Sequence, residues 1–122
     1  MARYRKITNS ATGEVILARA RWCASWWCRF RGLMLRADLP ADEGLLFVHR
    51  RASRIDATIH MLFMLIPIGV VWLDADRRVV DAKLAKPWRL AYAPAKPAQY
   101  YIEAVPDILG RVSVGDVLEF EP

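Results

Sequence analysis

A chain of 122 residues with 55% hydrophobic content and a net charge of +5 is one domain's worth of sequence, and its apolar content excludes disorder. Such a length buries roughly two thirds of the surface its unfolded form exposes, so folding requires neither a metal nor a disulfide. The charge is uneven: residues 1–60 hold eleven Lys/Arg against five Asp/Glu, residues 61–122 seven against eight, and fourteen of the eighteen cations are Arg.

Met1 to Lys6 is basic, but Thr8-Asn9-Ser10 follows where a secretory leader needs an apolar stretch. No export signal is therefore expected, and the cytoplasm is the expected location. Asn9 to Gly13 has turn chemistry, since Asn and Ser bond their own backbone and Gly accepts positive φ. Arg3–Thr8 and Glu14–Ala20 read as the two arms of a hairpin, with Val15 and Leu17 alternating with Ile16 and Ala18 in the second.

From Trp22 to Met34 the apolar spacing becomes three and four. Trp22, Trp26, Arg29 and Leu33 share one stripe, and Trp27, Phe30 and Met34 another. This predicts a short helix near 22–34. Ser25 suits the cap of a shorter helix, and Gly32 weakens the last turn. Aromatic residues at this spacing read as core packing. Cys23 and Cys28 are the only cysteines. On a helix, five residues subtend about 500°, which sets them about 140° apart and disfavours a local disulfide. Free thiols in a reducing compartment are expected, and one C-x4-C pair does not complete a zinc site.

Leu35–Gly44 is a polar connection and Leu45–His49 a short apolar strand. Arg50, Arg51 and Arg54 follow as the densest cationic patch, and are the candidate anion-binding residues. The longest apolar run is Ile59–Leu73. Fifteen residues fall short of the roughly 20 that span a bilayer, and Pro67 and Gly69 interrupt them. Pro67 splits the run into two extended pieces, 59–64 and 68–73. In the second, Ile68, Val70 and Trp72 alternate with Gly69, Val71 and Leu73, so both faces are apolar and both must be covered. Asp74–Arg77 is a turn into an alternating strand, Arg78–Leu84. Residues 85–98 form a proline-stiffened loop anchored by Trp88 and Tyr92. Gln99–Val105 is a strand, Pro106–Gly110 a helical turn opened by Pro and closed by Gly, and Val117–Phe120 the last strand. The fold expected is mainly β: a single domain over residues 1–122, built as a β-sandwich or partly closed barrel, with one short helix near 22–34 and a helical turn near 106–110.

Several elements recur in a recognisable order: Arg31-Gly32-Leu33-Met34, Glu43-Gly44-Leu45-Leu46-Phe47, Ile59-His60-x-x-Phe63-Met64-x-x-Pro67-Ile68, Pro87-Trp88-Arg89 and Val114-Gly115-Asp116. Together they resemble the domain of unknown function 192 family, small uncharacterised bacterial and archaeal domains, over about residues 7–120. The resemblance implies a mostly β sandwich or barrel and brings no established activity, cofactor or catalytic residue. It also implies polar residues at three places that here hold Met61, Leu65 and Gly69, so a family function that depends on them is in question.

No G-x-S-x-G, H-E-x-x-H, Walker A or G-x-G-x-x-G pattern occurs. No metal or cofactor is expected. His60 is the one titratable group in the apolar run, and Trp88 beside Arg89 in a stiff loop suits stacking on a planar group. With Arg31 these make the candidate binding site: His60, Trp88, Arg89 and Arg31. The function expected is non-enzymatic binding of a small molecule or protein partner. Two alternatives stand beside it: an enzyme using His60 with Asp56 or Asp74, and nucleic-acid binding through the Arg-rich half.

Overall fold

The computed structural model describes residues 3–122. Met1 and Ala2, which open the basic N-terminal stretch, lie outside the described residues. Seven strands form one curled sheet: β1 (Tyr4–Asn9), β2 (Val15–Cys23), β3 (Glu43–Ser53), β4 (Ile68–Leu73), β5 (Val79–Ala85), β6 (Ala98–Ala104) and β7 (Leu118–Glu121). A helix, α1 (Trp26–Arg31), lies between β2 and β3, and a 3-10 turn, Pro106–Gly110, follows β6. The strand order is β5-β4-β6-β3-β2-β1-β7. All neighbours are antiparallel except β2 and β3. The two edges approach each other through a bridge between Arg78 and Val117, so the sheet is a half-barrel. Of the two expected architectures, the partly closed barrel is the one formed.

Both predicted hairpins are present. Gly13 takes φ 75° in the first turn. In the β4–β5 turn the Asp74 carboxylate accepts from the backbone N–H of Asp76 (2.9 Å) and Arg78 (3.0 Å). All six residues of β4 are buried, as its two apolar faces require. The inner face packs Ile7, Leu17, Leu46, Val71, Ile102 and Leu118 inside the curl. The 3-10 turn caps this side so closely that a Cβ on Gly69 would stand 2.7 Å from Ile108 Cγ2. The outer face packs Phe47, Val70, Trp72 and Tyr101 beneath Leu33, Ile59, Met61 and Met64. Each such aliphatic or aromatic side chain contributes about 1.5–3 kcal/mol when fully buried.

Residues 24–42, 54–67 and 86–97 thus form a second layer over the sheet. The first of these exists because a parallel pair such as β2–β3 needs a long crossover. Trp72 pins the second: its buried indole N–H donates to the Ala57 carbonyl at 2.8 Å. The third lies beside the second, with bonds between Ile59 and Tyr92 and between Met61 and Arg89.

Three expectations are corrected here. Residues 59–64 are not a strand: apart from the Ile59–Tyr92 bridge they form turns of the covering layer. The short helix expected near 22–34 is formed by Trp26–Arg31, but its aromatic residues do not lie where expected. Ser25 caps it by accepting from Cys28 N–H at 3.1 Å, and Gly32, at φ 48°, ends it. None of its residues is buried, so Trp26, Trp27 and Phe30 are not core. Finally, Cys23 and Cys28 are joined in a disulfide, with Cα atoms 5.5 Å apart. Cys23 ends β2 and does not lie on the helix, so the angular argument from helical geometry does not apply. The reducing compartment inferred from free thiols loses its basis.

Candidate functional site

The crossover holding α1 and the 54–67 segment meet over the outer face without sealing it. Between them runs a cleft of about 760 Å³, within the range of small-molecule sites. Trp26, Phe30 and Arg29 form its helical wall. His49, Arg50 and Arg51, from the far half of β3, form the second wall, and Asp56 and Thr58 the third, with Tyr101 at the base. A narrow extension of about 50 Å³ continues under α1, lined by Arg29, Arg31, Gly32, His60, Tyr101 and Glu103. The two spaces share Arg29, Phe30, Thr58 and Tyr101.

The helical wall is an exposed aromatic stack. Trp26 and Phe30 lie parallel within 4° at 5.4 Å, and Trp27 stands 5.9 Å from Phe30. Trp26 is 68% and Trp27 60% exposed. The Arg29 guanidinium fastens the wall, donating to the carbonyls of Ala24 and, at 3.3 Å, Val48. Beyond Trp27, a second groove is lined by Arg21, Arg31 and Arg36. The aromatic ridge therefore stands between two sets of guanidinium groups.

The base of the cleft is shaped by register. Glu103 on β6 lies between Leu45 of β3 and Val70 of β4, and Tyr101 between Phe47 and Trp72. Apolar neighbours on both sides and the layer above leave Glu103 only 6% exposed. The ion pairs among the described residues are Arg19–Glu43 and Lys83–Asp81, so Glu103 has no cationic partner. Burial pushes its carboxyl up from the ordinary value to about 8. Burial also raises the Tyr101 phenol, with the Glu103 charge adding to it and Arg29 opposing. His49 stacks on Tyr101 at 5.6 Å. Burial and then Arg29 lower its pKa against the pull of Asp56, and its buried Nε2 has no hydrogen-bond partner. His49 is thus a half-buried group of the cleft wall.

Of the four residues of the expected site, the structure brings two together. His60 and Arg31 line the narrow extension, and the His60 ring lies 6.0 Å from Phe30. Trp88 and Arg89 line neither space. Trp88 packs edge-on against Phe63 at 5.2 Å and stays 55% exposed. Of the expected anion-binding residues, Arg50 and Arg51 line the wide cleft, while Arg54 donates to the Pro94 carbonyl at 3.0 Å. His60 Nδ1 accepts from the Leu62 N–H at 3.3 Å, the Asp74 carboxylate is used in its own turn, and no hydrogen bond or ion pair among the described residues joins His60 to Asp56 or Asp74. Met61, Leu65 and Gly69, the three departures from the family pattern, line neither space. No cluster of three His, Cys, Asp or Glu suited to a metal ion occurs among the described residues, and no helix is long and apolar enough to cross a membrane. Sequence reasoning missed Glu103, Tyr101 and His49. A strand face reading Gln99, Tyr101, Glu103 looks like an ordinary solvent face.

These features define a small half-barrel domain whose covered outer face holds a cleft. The chain belongs to the domain of unknown function 192 family, described as Uncharacterized ACR, whose model matches residues 7–120. It is 42% identical over 118 residues to UPF0127 protein TK1120 of Thermococcus kodakarensis, covering 95% of this chain and 73% of that one. It is 38% identical to UPF0127 protein PF1050 of Pyrococcus furiosus, covering 92% and 95%. Among solved structures, a Sinorhizobium meliloti protein described as a candidate transcription regulator superposes with a TM-score of 0.83 at 21% identity, covering 98% of this chain and 94% of that one. A Novosphingobium aromaticivorans protein of unknown function gives 0.78 at 22%, covering 97% and 84%. At that identity the likeness is one of fold.

Proposed function

We propose that the domain is a non-enzymatic binding module for a small organic anion carrying a planar apolar group. The observation that carries this reading is the wide cleft itself, where Arg29, Arg50 and Arg51 face a single carboxylate, Asp56, beside the flat faces of Trp26 and Phe30. Guanidinium groups suit carboxylate or phosphate oxygens, and exposed rings suit a planar body. The Cys23–Cys28 disulfide supports an oxidising compartment, or a hyperthermophile's interior, over the reducing cytoplasm. Calorimetric titration with benzoate and indole-3-acetate, against benzamide and indole-3-acetamide, tests the reading. The acids should bind at least about tenfold more tightly than the amides, and the double variant Arg50→Gln, Arg51→Gln should lose about tenfold. Absence of acid binding up to millimolar concentration would sink it.

A second reading has its own observation, the ridge of Trp26, Phe30 and Trp27 between the two Arg-lined grooves. Such a ridge suits single-stranded nucleic acid, with bases stacked on rings and phosphates paired to Arg. Its affinity for oligothymidylate should fall steeply with salt; a flat response excludes it.

A further inference from the structure

We infer that the narrow extension of the cleft is a carboxylate subsite, in which Tyr101 and Glu103 both donate hydrogen bonds to the acid group of the ligand. The inference rests on the small-anion reading above and names the chemistry of its anchor. Tyr101 and Glu103 are two residues apart on β6, so their side chains leave the same face of the sheet. Both line the narrow space, which adjoins the wide cleft and shares Arg29, Phe30, Thr58 and Tyr101 with it. About 50 Å³ admits a carboxylate but no ring, so the planar body must stay outside, against the aromatic wall.

Glu103 as a carboxylate would repel such a ligand. It forms no ion pair among the described residues, and burial is the cause that raises its pKa. Near neutral pH it therefore holds its proton and presents an O–H, a donor that makes a short, strong bond to an anionic oxygen. Tyr101 likewise keeps its O–H. The charged and titratable groups around them are Arg29 and Arg31 from the helix, His49 from β3, and Asp56 and His60 from the 54–67 segment. Two neutral donors and the nearby guanidinium groups thus face the space without a fixed negative charge at its base. A side chain on Gly32 would begin to fill that space, since a Cβ there lies 3.5 Å from Glu103 Oε1.

The test is the affinity for benzoate and indole-3-acetate between pH 6.5 and 9.5, in the wild type, Glu103→Gln and Tyr101→Phe. Wild-type affinity should fall about tenfold or more above pH 8 as Glu103 ionises. Glu103→Gln, which keeps a neutral donor, should bind within about threefold of wild type at pH 7 and lose the fall above pH 8. Tyr101→Phe should bind about tenfold more weakly at pH 7. Carboxyl-¹³C-labelled benzoate bound to the unaltered protein should report the same ionisation, so the inference does not depend on either variant folding. A wild-type profile retained in Glu103→Gln, a bound label blind to pH, or unweakened binding by Tyr101→Phe would overturn it. Acid binding that depends on Arg50 and Arg51 but on neither Tyr101 nor Glu103 would overturn the subsite and leave the module reading standing. No acid binding at all would remove both.

Discussion

Glu103 illustrates what a single residue meets on an interior strand of a covered sheet. Its neighbours across β3 and β4 are Leu45 and Val70, which offer no hydrogen bond to a charge. The unfolded chain ionises it near the ordinary value of 4.5, but the folded protein keeps it neutral to about pH 8. The stability of the neutral form is fully present below the unfolded value and is lost as pH rises toward the folded one. Glu103→Gln never ionises. Relative to wild type it should gain roughly 2–4 kcal/mol between pH 4.5 and pH 8. Urea unfolding across that range measures the gap, and a gap that does not change with pH contradicts the buried neutral acid.

At the scale of the element, α1 is the least self-sufficient part of the fold. Six residues are too few for a stable isolated helix, and none is buried. It is held by Cys23–Cys28 and by Arg29 on the carbonyls of Ala24 and Val48. Replacing both cysteines by Ser should cost about 2 kcal/mol for so short a loop. Hydrogen exchange should quicken in residues 24–34 while β4 and β6 stay protected. Trp26→Ala and Trp27→Ala, by contrast, should change stability by no more than about 0.5 kcal/mol, since both rings are largely exposed. Thermal unfolding separates these outcomes, and a large loss from either Trp would place it in the core. The limits of this helix were legible in Ser25 and Gly32, because capping is a local reaction of side chain with backbone. The exposure of its aromatics was not, because it depends on how the crossover lies over the sheet.

Across the whole molecule, the half-barrel is a curled sheet with a second layer on its outside, and the cleft exists because that layer is incomplete. Trp72 joins the two through its bond to Ala57. Trp72→Phe keeps an aromatic ring but leaves a buried carbonyl unpaired, and should cost about 1–3 kcal/mol. Exchange should rise across residues 54–67 in particular, and ligand binding should weaken as the third wall loosens. If exchange rises uniformly, the bond is part of the global core and not a pin for the layer.

The hairpins, the turn at Asp74, the two-sided burial of β4 and the 3-10 turn were all written in the sequence, whereas the choice of a partly closed barrel over a sandwich was made by the curl of the sheet. Alternation and turn chemistry act over a few residues, and an apolar strand with two apolar faces can be satisfied only by cover on both sides. His60 and Arg31, singled out on the same local evidence, line the narrow space beside the cleft. Trp88 and Arg89 were not brought to the site, and 59–64 did not become a strand, because the covering layer takes its shape from distant parts of the chain. That layer alone decided that Cys23 would meet Cys28, that His49 would stand in a cleft, and that a polar strand face bearing Tyr101 and Glu103 would be shut away from water. Burial of a charge-bearing side chain is a property of what lies above it, and residues 24–42, 54–67 and 86–97 reach that position only when the sheet has curled.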